Sequence, residues 1–262
     1  MNDPWLFGQS LRKNRSKALP VRFKYFNPSL DGLDDFISID NSQNVGNPYS
    51  FDRTNPFTLA QIITPKITSL INFSMFDKRT SNAGYFFGIN ASSQMFASFN
   101  TPSGQRGALL SSGLGFGNNI KTIWIISFSG NSDASGFTIR QYNGGTGALT
   151  QAATIANGDA SILGGVTGVM TGTLTNTTPL NIGKNFVGGA TTKAIIERPS
   201  IWNIELNSTQ AQDLANRMIA DTVKDMTIYP SNCVGYWRNA TDQTYLNEVN
   251  TTYNGTLNGF NF

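Results

Sequence analysis

The chain has 262 residues, of which 39% are hydrophobic and 11% aromatic, enough to bury a substantial core. Only 13% are charged, and Gly, Ser, Thr and Asn take their place, a composition typical of short strands joined by many turns. The absence of histidine and the single cysteine, Cys233, exclude histidine-based catalysis, histidine-ligated metal and an internal disulfide. We expect no signal peptide, and no stretch approaches the ~20 apolar residues of a membrane helix.

Residues 1–27 form a basic, aromatic arm. Six basic residues lie between positions 12 and 24, and removing them from the 19 in the chain leaves 13 against 16 acidic residues. The net charge of +3 therefore comes from this arm. A solvated tail rarely carries so many aromatics, and the rest of the chain shows no basic stripe, so we favour docking on an acidic protein surface over a free tail or nucleic-acid binding. The predicted anchoring residues are Arg12, Lys13, Arg15, Lys17, Arg22, Lys24, Trp5 and Phe7.

Residues 27–40 (NPSLDGLDDFISID) place three carboxylates in a turn, at Asp31, Asp34 and Asp35. Asn-Pro and Asp-Gly pairs mark the turn, and a strand begins at Phe36. The cluster either binds calcium through hard oxygen ligands or caps its own backbone, and capping is the favoured alternative. Calcium is the one cofactor that the sequence suggests.

Residues 57–144 contain a series of short apolar segments that predict an antiparallel meander. The segment KTIWIISF is the most apolar of the chain, and Trp124 is predicted to lie between two sheets. We expect the many aromatic residues of these segments to be core rather than an exposed platform for sugars. The predicted strands are residues 57–64, 70–77, 84–90, 94–99, 121–128 and 137–144.

Residues 148–178 are rich in Gly, Thr, Ala and Asn, and Asp159 is their only charge. They are predicted to be a long loop or an extra hairpin. Loops carry function more often than strands do. Small, uncharged side chains suit a subunit contact better than recognition of a charged ligand.

Residues 180–220 predict three short strands followed by a helix. The strands are residues 180–183, 192–197 and 200–204, with Pro199 at a join where a lost backbone donor costs least. Asn207 with Gln210 three residues later predicts a helix start similar to a capping box. The apolar residues that follow repeat at helical spacing, which predicts a helix packed on a sheet.

In this order, the segments resemble a laminin-G-like domain of the concanavalin A-like lectin/glucanase superfamily, of the kind found in bacteriophage virion proteins. The resemblance rests on Ile182-Gly183, the glycine turn at 188–189, the strands at 195–202 and the helix start at 206–210. Residues 27–40 are similar to the family's opening "FDGxDDYVxI". Gln61 and Ile62 stand where the family usually has a tryptophan, which puts in doubt any binding that depends on that ring.

The C-terminal residues 228–262 carry a pattern, "GYW…D…YD…NNGTLNG", with which such domains normally begin. Here it is supplied by residues 235–237, Asp242, Tyr245 and residues 254–259. We favour a circular permutation over a truncated second domain. The segment then either completes the same sheet or pairs with a neighbouring subunit.

The resemblance implies an all-β, two-sheet antiparallel jelly-roll sandwich, circularly permuted, with one short helix and an extended N-terminal arm. The domain is expected over residues 28–262, with an insertion at about 148–178.

No enzymatic site is predicted. Glucanases of this superfamily alternate acids along one strand, because one carboxylate protonates the leaving group and another acts as nucleophile or base. Here Glu197 and Glu205 lie on different segments.

Two functions remain open. One is a structural protein of a phage virion, either a capsid decoration or a head-fibre subunit on the capsid exterior, docked through its arm and assembled as a homo-oligomer. The other is a carbohydrate-binding lectin module, either free and extracellular or on a virion tail.

Overall fold

The computed structural model describes residues 27–40, 47–66, 73–90, 92, 94–102, 104–110, 118–163, 168–184, 192–241 and 243–260. All eight predicted anchoring residues of the arm lie outside these ranges. The one α-helix of the described ranges is too short and too polar to cross a membrane.

The described residues fold into sixteen strands and one α-helix. In chain order these are β1 (Ser29–Asp31), β2 (Phe36–Ile39), β3 (Phe57–Pro65), β4 (Phe73–Arg79), β5 (Gly84–Ile89), β6 (Met95–Thr101), β7 (Gly104–Leu110), β8 (Thr122–Phe128), β9 (Phe137–Asn143), β10 (Leu149–Thr154), β11 (Ala160–Ile162), β12 (Leu180–Ile182), β13 (Lys193–Trp202), α1 (Ser208–Ala220), β14 (Cys233–Thr241), β15 (Thr244–Asn247) and β16 (Gly255–Asn258).

The strands form two antiparallel sheets, as the sequence predicts. The first sheet is called the helix-covered sheet, because α1 packs on one of its faces. It has the order β10-β9-β8-β3-β13, and β1 also pairs with β13. The second sheet has the order β15-β16-β2-β12-β4-β5-β6-β7-β11. Strand β14 joins them, because its first residues pair with β13 and its last residues pair with β15. The predicted meander is confirmed in β4 to β7.

The main core lies between the sheets and is rich in aromatic rings. Phe128 is central, with ring centroids 4.8 Å from Phe99, 4.8 Å from Phe137 and 5.7 Å from Phe57. Trp124 is fully buried in this core, as predicted. Phe86 differs from its neighbours, because its ring lies under the Arg79 guanidinium at 3.9 Å and outside the main core cluster.

Helix α1 packs on the face of the helix-covered sheet that is turned away from the second sheet. Strand β8 is therefore buried along its whole length. Trp124, Ile126 and Phe128 face the second sheet, whereas Ile123 and Ile125 pack against the helix. This explains why β8 is a continuous apolar run rather than an alternating one. The predicted helix face is confirmed, with Ala211, Leu214, Ala215 and Met218 buried.

The join predicted at Pro199 is different in the structure. Residues 193–202 form one strand, β13, with a bulge between Glu197 and Ser200 rather than two strands. Arg198 takes the extra position with φ at 52°, and its backbone N–H donates to Tyr245 Oη at 3.2 Å. A bulge keeps the strand continuous and accommodates a proline, which has no N–H for the ladder.

The C-terminal strands pair within their own chain. Strand β16 is antiparallel to β2 over four residue pairs, from Gly255 opposite Ile39 to Asn258 opposite Phe36. This is the arrangement that a hairpin would give if β16 directly preceded β2, and it is compatible with the predicted permutation. Of the two alternatives for this segment, the structure shows completion of the chain's own sheet.

Residues 148–178 contribute to both sheets. Strand β10 pairs with β9 in the helix-covered sheet, and β11 pairs with β7 in the second sheet. The segment between 168 and 178 then returns across the end of the sandwich, where it contacts the loop before β3.

Candidate functional site

A loop at one end of the sandwich, residues 47–56, is the centre of the candidate site and is called the rim loop below. Asn-Pro pairs stand at both of its ends. Asn47 Oδ1 accepts from Tyr49 N at 2.7 Å, and Asn55 Oδ1 accepts from Asp52 N at 2.8 Å. Asparagine side chains form such turns readily because they replace a backbone acceptor.

Tyr49 anchors the rim loop to the C-terminal strands. Its ring packs against Trp237 and Tyr253 at centroid distances of 5.4 and 5.2 Å. Its hydroxyl donates to Val234 O at 3.2 Å and accepts from Asn247 Nδ2 at 2.9 Å. The loop is therefore attached to the hydrophobic core through a buried aromatic residue.

The far side of the rim loop is bonded to residues 172–174. Asp52 accepts from Leu174 N at 3.0 Å and from Thr173 Oγ1 at 3.1 Å. Arg53 Nη1 donates to Gly172 O at 2.6 Å. Both charged groups of the loop are thus used in contacts within the protein.

Lys78, in β4, binds residues 176–178, which follow the residues bonded to the rim loop. Its side chain is 1% exposed, and its ammonium donates to Thr178 O at 2.8 Å and to Asn176 O at 3.1 Å. Burial lowers the pKa of Lys78 to about 8. Asn176 in turn donates to Lys78 O at 3.2 Å, so strand and loop are bonded in both directions.

Two surface depressions border the rim loop. The apolar depression has a volume of about 360 Å³ and is lined by Pro48, Phe51, Asn55, Pro56, Asn203 and Val234. The hydroxyl depression has a volume of about 140 Å³ and is lined by Ser50, Thr175, Asn176 and Thr177. Among the residues that the structure describes, neither lining contains an ionisable side chain, a nucleophilic thiol or a carboxylate. The described side chains that line the two depressions are therefore uncharged and carry apolar, hydroxyl and amide groups.

The rim loop is not among the sites predicted from the sequence. Its Asn-Pro pairs are a turn signal that was available. Its partners are not predictable locally, because Val234 and Asn203 reach it from strands or turns more than 140 positions away.

The predicted carboxylate cluster is brought together by the turn between β1 and β2. One carboxylate oxygen of each of Asp31, Asp34 and Asp35 lies within 4.8 Å of the others. Asp31 Oδ1 accepts from Leu33 N at 2.7 Å, and Asp35 Oδ2 accepts from Asp31 N at 2.8 Å. These are the capping bonds of the favoured alternative.

The pKa values of Asp31 and Asp35 are shifted in opposite directions. The Leu33 N–H bond lowers the pKa of Asp31, whereas burial raises the pKa of Asp35. Three carboxylates have the oxygen chemistry that calcium prefers, and backbone carbonyls or water would complete its six to eight ligands. Calcium binding at this turn stays a prediction.

Glu197 and Glu205 interact with different neighbours. Glu197 forms an ion pair with Lys121, with Oε2 and Nζ 2.6 Å apart. Glu205 lies exposed before helix α1; burial lowers the pKa of Arg140, and the nearby Tyr142 and Glu205 partly offset that lowering. Neither acid is among the residues that line the two depressions.

Comparisons with known proteins support the fold. No protein-family model matches the sequence, and no curated protein matches it. The chain is similar to a Bacteroides ovatus protein provisionally named as carbohydrate binding, with a TM-score of 0.51 and 13% identity, covering 89% of this chain and 59% of that one. At this identity the likeness shows the jelly-roll fold alone, and membership of the laminin-G-like family stays a prediction.

Two other similar structures are more distant. Tailspike protein 2 of Escherichia coli O157:H7 bacteriophage CAB120 has a TM-score of 0.44 at 13% identity, covering 84% of this chain and 30% of that one. The heptameric SAP-like pentraxin of Limulus polyphemus has a TM-score of 0.38 at 14% identity, covering 70% and 82%. These scores are too low to bear on function.

Proposed function

We propose that this chain is a non-enzymatic binding module that recognises a neutral glycan at the rim loop. The observation that carries the proposal is the pair of depressions that border the rim loop, one apolar and one lined by hydroxyl and amide groups, with no ionisable side chain among the described residues of either lining. Sugars present both apolar C–H surfaces and hydroxyl groups, so they need this combination. Sites of this kind place a few polar groups in a mainly apolar cleft.

A rigid rim loop favours this function, because a pre-organised site loses less conformational entropy when it binds. Tyr49 holds one side of the loop to the core, and Asp52 holds the other side to residues 173–174. Phe51 adds a third attachment, since its ring stacks on Phe57 at 4.5 Å with 8° between the planes.

The test is a glycan array followed by calorimetry on the full chain. We expect neutral oligosaccharides to bind and Thr177→Ala, in the hydroxyl depression, to weaken that binding. Thr256→Ala is the matched control, because Thr256 is also an exposed threonine but lines neither depression. Absence of binding to every glycan, or equal binding by both variants, would contradict the proposal.

We also propose that the module is displayed on the exterior of a phage virion, as a capsid decoration or head-fibre subunit, with the tail as a less favoured position. The observation behind this placement is the arm, with six basic residues between positions 12 and 24 and aromatic residues beside them. Basic side chains would dock on an acidic capsid surface, and aromatic side chains would add apolar contact area.

The measurement for this placement is the mass in solution, and the binding to capsid shells, of the full chain and of a variant without residues 1–27. We expect the full chain to assemble as a homo-oligomer or to bind shells, and the truncated chain to be a monomer that binds none. Identical behaviour of the two would show that the arm is not an anchor, while glycan binding could still be present.

A further inference from the structure

We propose that the apolar depression selects sugars that carry an acetamido group, such as N-acetylhexosamines. The inference rests on the proposed glycan-binding function and specifies the ligand class of the same site. It follows from what the depression offers and from what it lacks.

The described residues of the depression form no flat aromatic platform. Phe51 is the only aromatic residue among the described residues of its lining, and it is 6% exposed. The stacking on Phe57, with nearly parallel planes, occupies one face of the Phe51 ring. A pyranose ring therefore cannot lie across an exposed aromatic face here. The apolar wall formed by Pro48, Pro56 and Val234 suits a small apolar group such as a methyl.

Two amide side chains stand in the same lining. Asn55 uses its Oδ1 to accept from Asp52 N, which leaves the two N–H donors of Nδ2 without a partner in the described part of the chain. Asn203 donates its backbone N–H to Asn232 O at 2.9 Å, and within the described ranges its side-chain amide makes no hydrogen bond. Together they offer donors for a carbonyl oxygen and an acceptor for an N–H.

An acetamido group presents these three features together, as a methyl, a carbonyl oxygen and an N–H. A hydroxyl substituent has no methyl, and the methyl of a 6-deoxy sugar has no amide beside it. The volume of about 360 Å³ lies within the range of small-molecule sites. The described residues of the lining carry no charge, and the nearby Asp52 and Arg53 are bonded to residues 172–174, so none of these groups would pair with an acidic sugar.

The experiment is saturation-transfer NMR and calorimetry on the full chain with the methyl glycosides of N-acetylglucosamine, N-acetylgalactosamine, glucose, galactose and fucose. We expect at least one acetamido sugar to bind about tenfold more tightly than its hydroxyl counterpart, the ratio that 1.4 kcal/mol represents. We also expect the strongest saturation at the acetyl methyl protons.

Two variants locate the selectivity. Asn203→Ala should remove it, and Asn55→Asp should do so while keeping the oxygen that accepts from Asp52 N. Asn82→Ala is the matched control, because Asn82 is exposed in the turn between β4 and β5 and only its backbone N–H makes a described hydrogen bond. Loss of selectivity in both site variants, with retention in the control, supports the inference.

Other results overturn it in distinguishable ways. Equal affinity for acetamido and hydroxyl sugars, or preference for fucose, would reject the acetamido assignment and leave glycan binding standing. Retained selectivity in both Asn203→Ala and Asn55→Asp would place it elsewhere on the molecule. Absence of binding to these sugars and to every arrayed glycan would reject the proposed function together with the inference.

Discussion

At the scale of single residues, Lys78 is the most unusual side chain of the described structure. It is a fully buried cation whose described bonds go to backbone and amide oxygens of residues 176–178, with no carboxylate among them. Such a group is costly to desolvate unless its hydrogen bonds are satisfied. Its position links the strand β4 to the wall of the hydroxyl depression.

Stability should depend on pH through Lys78. Burial lowers its pKa to about 8 in the folded chain, against about 10.4 when unfolded. Between these values the unfolded chain holds a proton that the folded chain has lost, so the free energy of unfolding rises with pH. We expect the free energy of unfolding of the wild type, minus that of Lys78→Met, to increase by about 1–2 kcal/mol from pH 7 to pH 9.5.

Urea unfolding at the two pH values measures this difference. Lys66→Met is the control, because the Lys66 ammonium bonds Asn119 Oδ1 at the surface. A difference that stays constant or decreases with pH would show that the hydrogen bonds that the Lys78 ammonium donates to oxygens of residues 176–178 keep it charged.

Calcium should raise the melting temperature if the Asp31 turn binds it. The three carboxylates lie within 4.8 Å and repel one another, and a divalent cation would relieve that repulsion. At ten times Kd the gain is about 1.4 kcal/mol. Asp34→Asn should abolish it without disturbing the turn, because the capping oxygens belong to Asp31 and Asp35. An unchanged melting temperature in millimolar calcium would leave capping as the role of the cluster.

At the scale of elements, the helix start is set by local sequence. Gln210 N donates to Asn207 Oδ1 at 2.9 Å, and Asn207 N donates to Gln210 Oε1 at 3.1 Å, which completes the capping box. The helix ends at Asp221, whose φ of 60° is left-handed and whose carboxylate pairs with Arg198 and Arg238. The end is therefore tied to the β13 bulge and to β14.

Asn207→Ala should lower the free energy of unfolding by about 1 kcal/mol, since a backbone donor at the helix start loses its acceptor. Thermal unfolding measures the effect. Asn203→Ala serves as the comparison, because its side chain lies four positions earlier and caps nothing in the described structure. Equal stability of the two variants would mean that water replaces the cap at no cost.

At the scale of the whole molecule, the core is rich in buried hydroxyl groups. Tyr85 Oη donates to Tyr49 O at 3.0 Å, and Tyr245 Oη accepts from Arg198 N. Burial raises the pKa of Tyr49, Tyr85 and Tyr245 far above that of a free tyrosine. These three residues hold the rim loop, the second sheet and the β13 bulge to the same core.

Stability should therefore fall steeply above pH 10. There the unfolded chain loses tyrosine protons that the folded chain keeps, so each buried tyrosine lowers the free energy of unfolding by about 1.4 kcal/mol per pH unit. Tyr49→Phe should reduce the slope by the share of one tyrosine. Urea unfolding between pH 10 and 11.5 gives the slopes, and identical slopes for the two proteins would contradict the assignment.

Much of the fold could be predicted from the sequence, because it depends on neighbours along the chain. Strands β3, β8 and β9 begin and end within one residue of the predicted segments, since turns interrupt their apolar runs. The capping pair Asn207 and Gln210 and the turn around Asp31 follow from side chains that bond nearby backbone. In each case the determining contact spans four residues or fewer.

The tertiary structure decided what depends on residues far apart in the chain. It made β13 one bulged strand, because Tyr245, 47 positions away, bonds the backbone of Arg198. It assigned Lys78 to oxygens about 100 positions later and brought Asn203 and Val234 to the rim loop. The sequence by itself determined the jelly-roll strands and the helix, because these depend on local periodicity. Local periodicity carries no information about contacts between residues far apart in the chain. Only the packing of the two sheets and the return of the C-terminal strands created the candidate site.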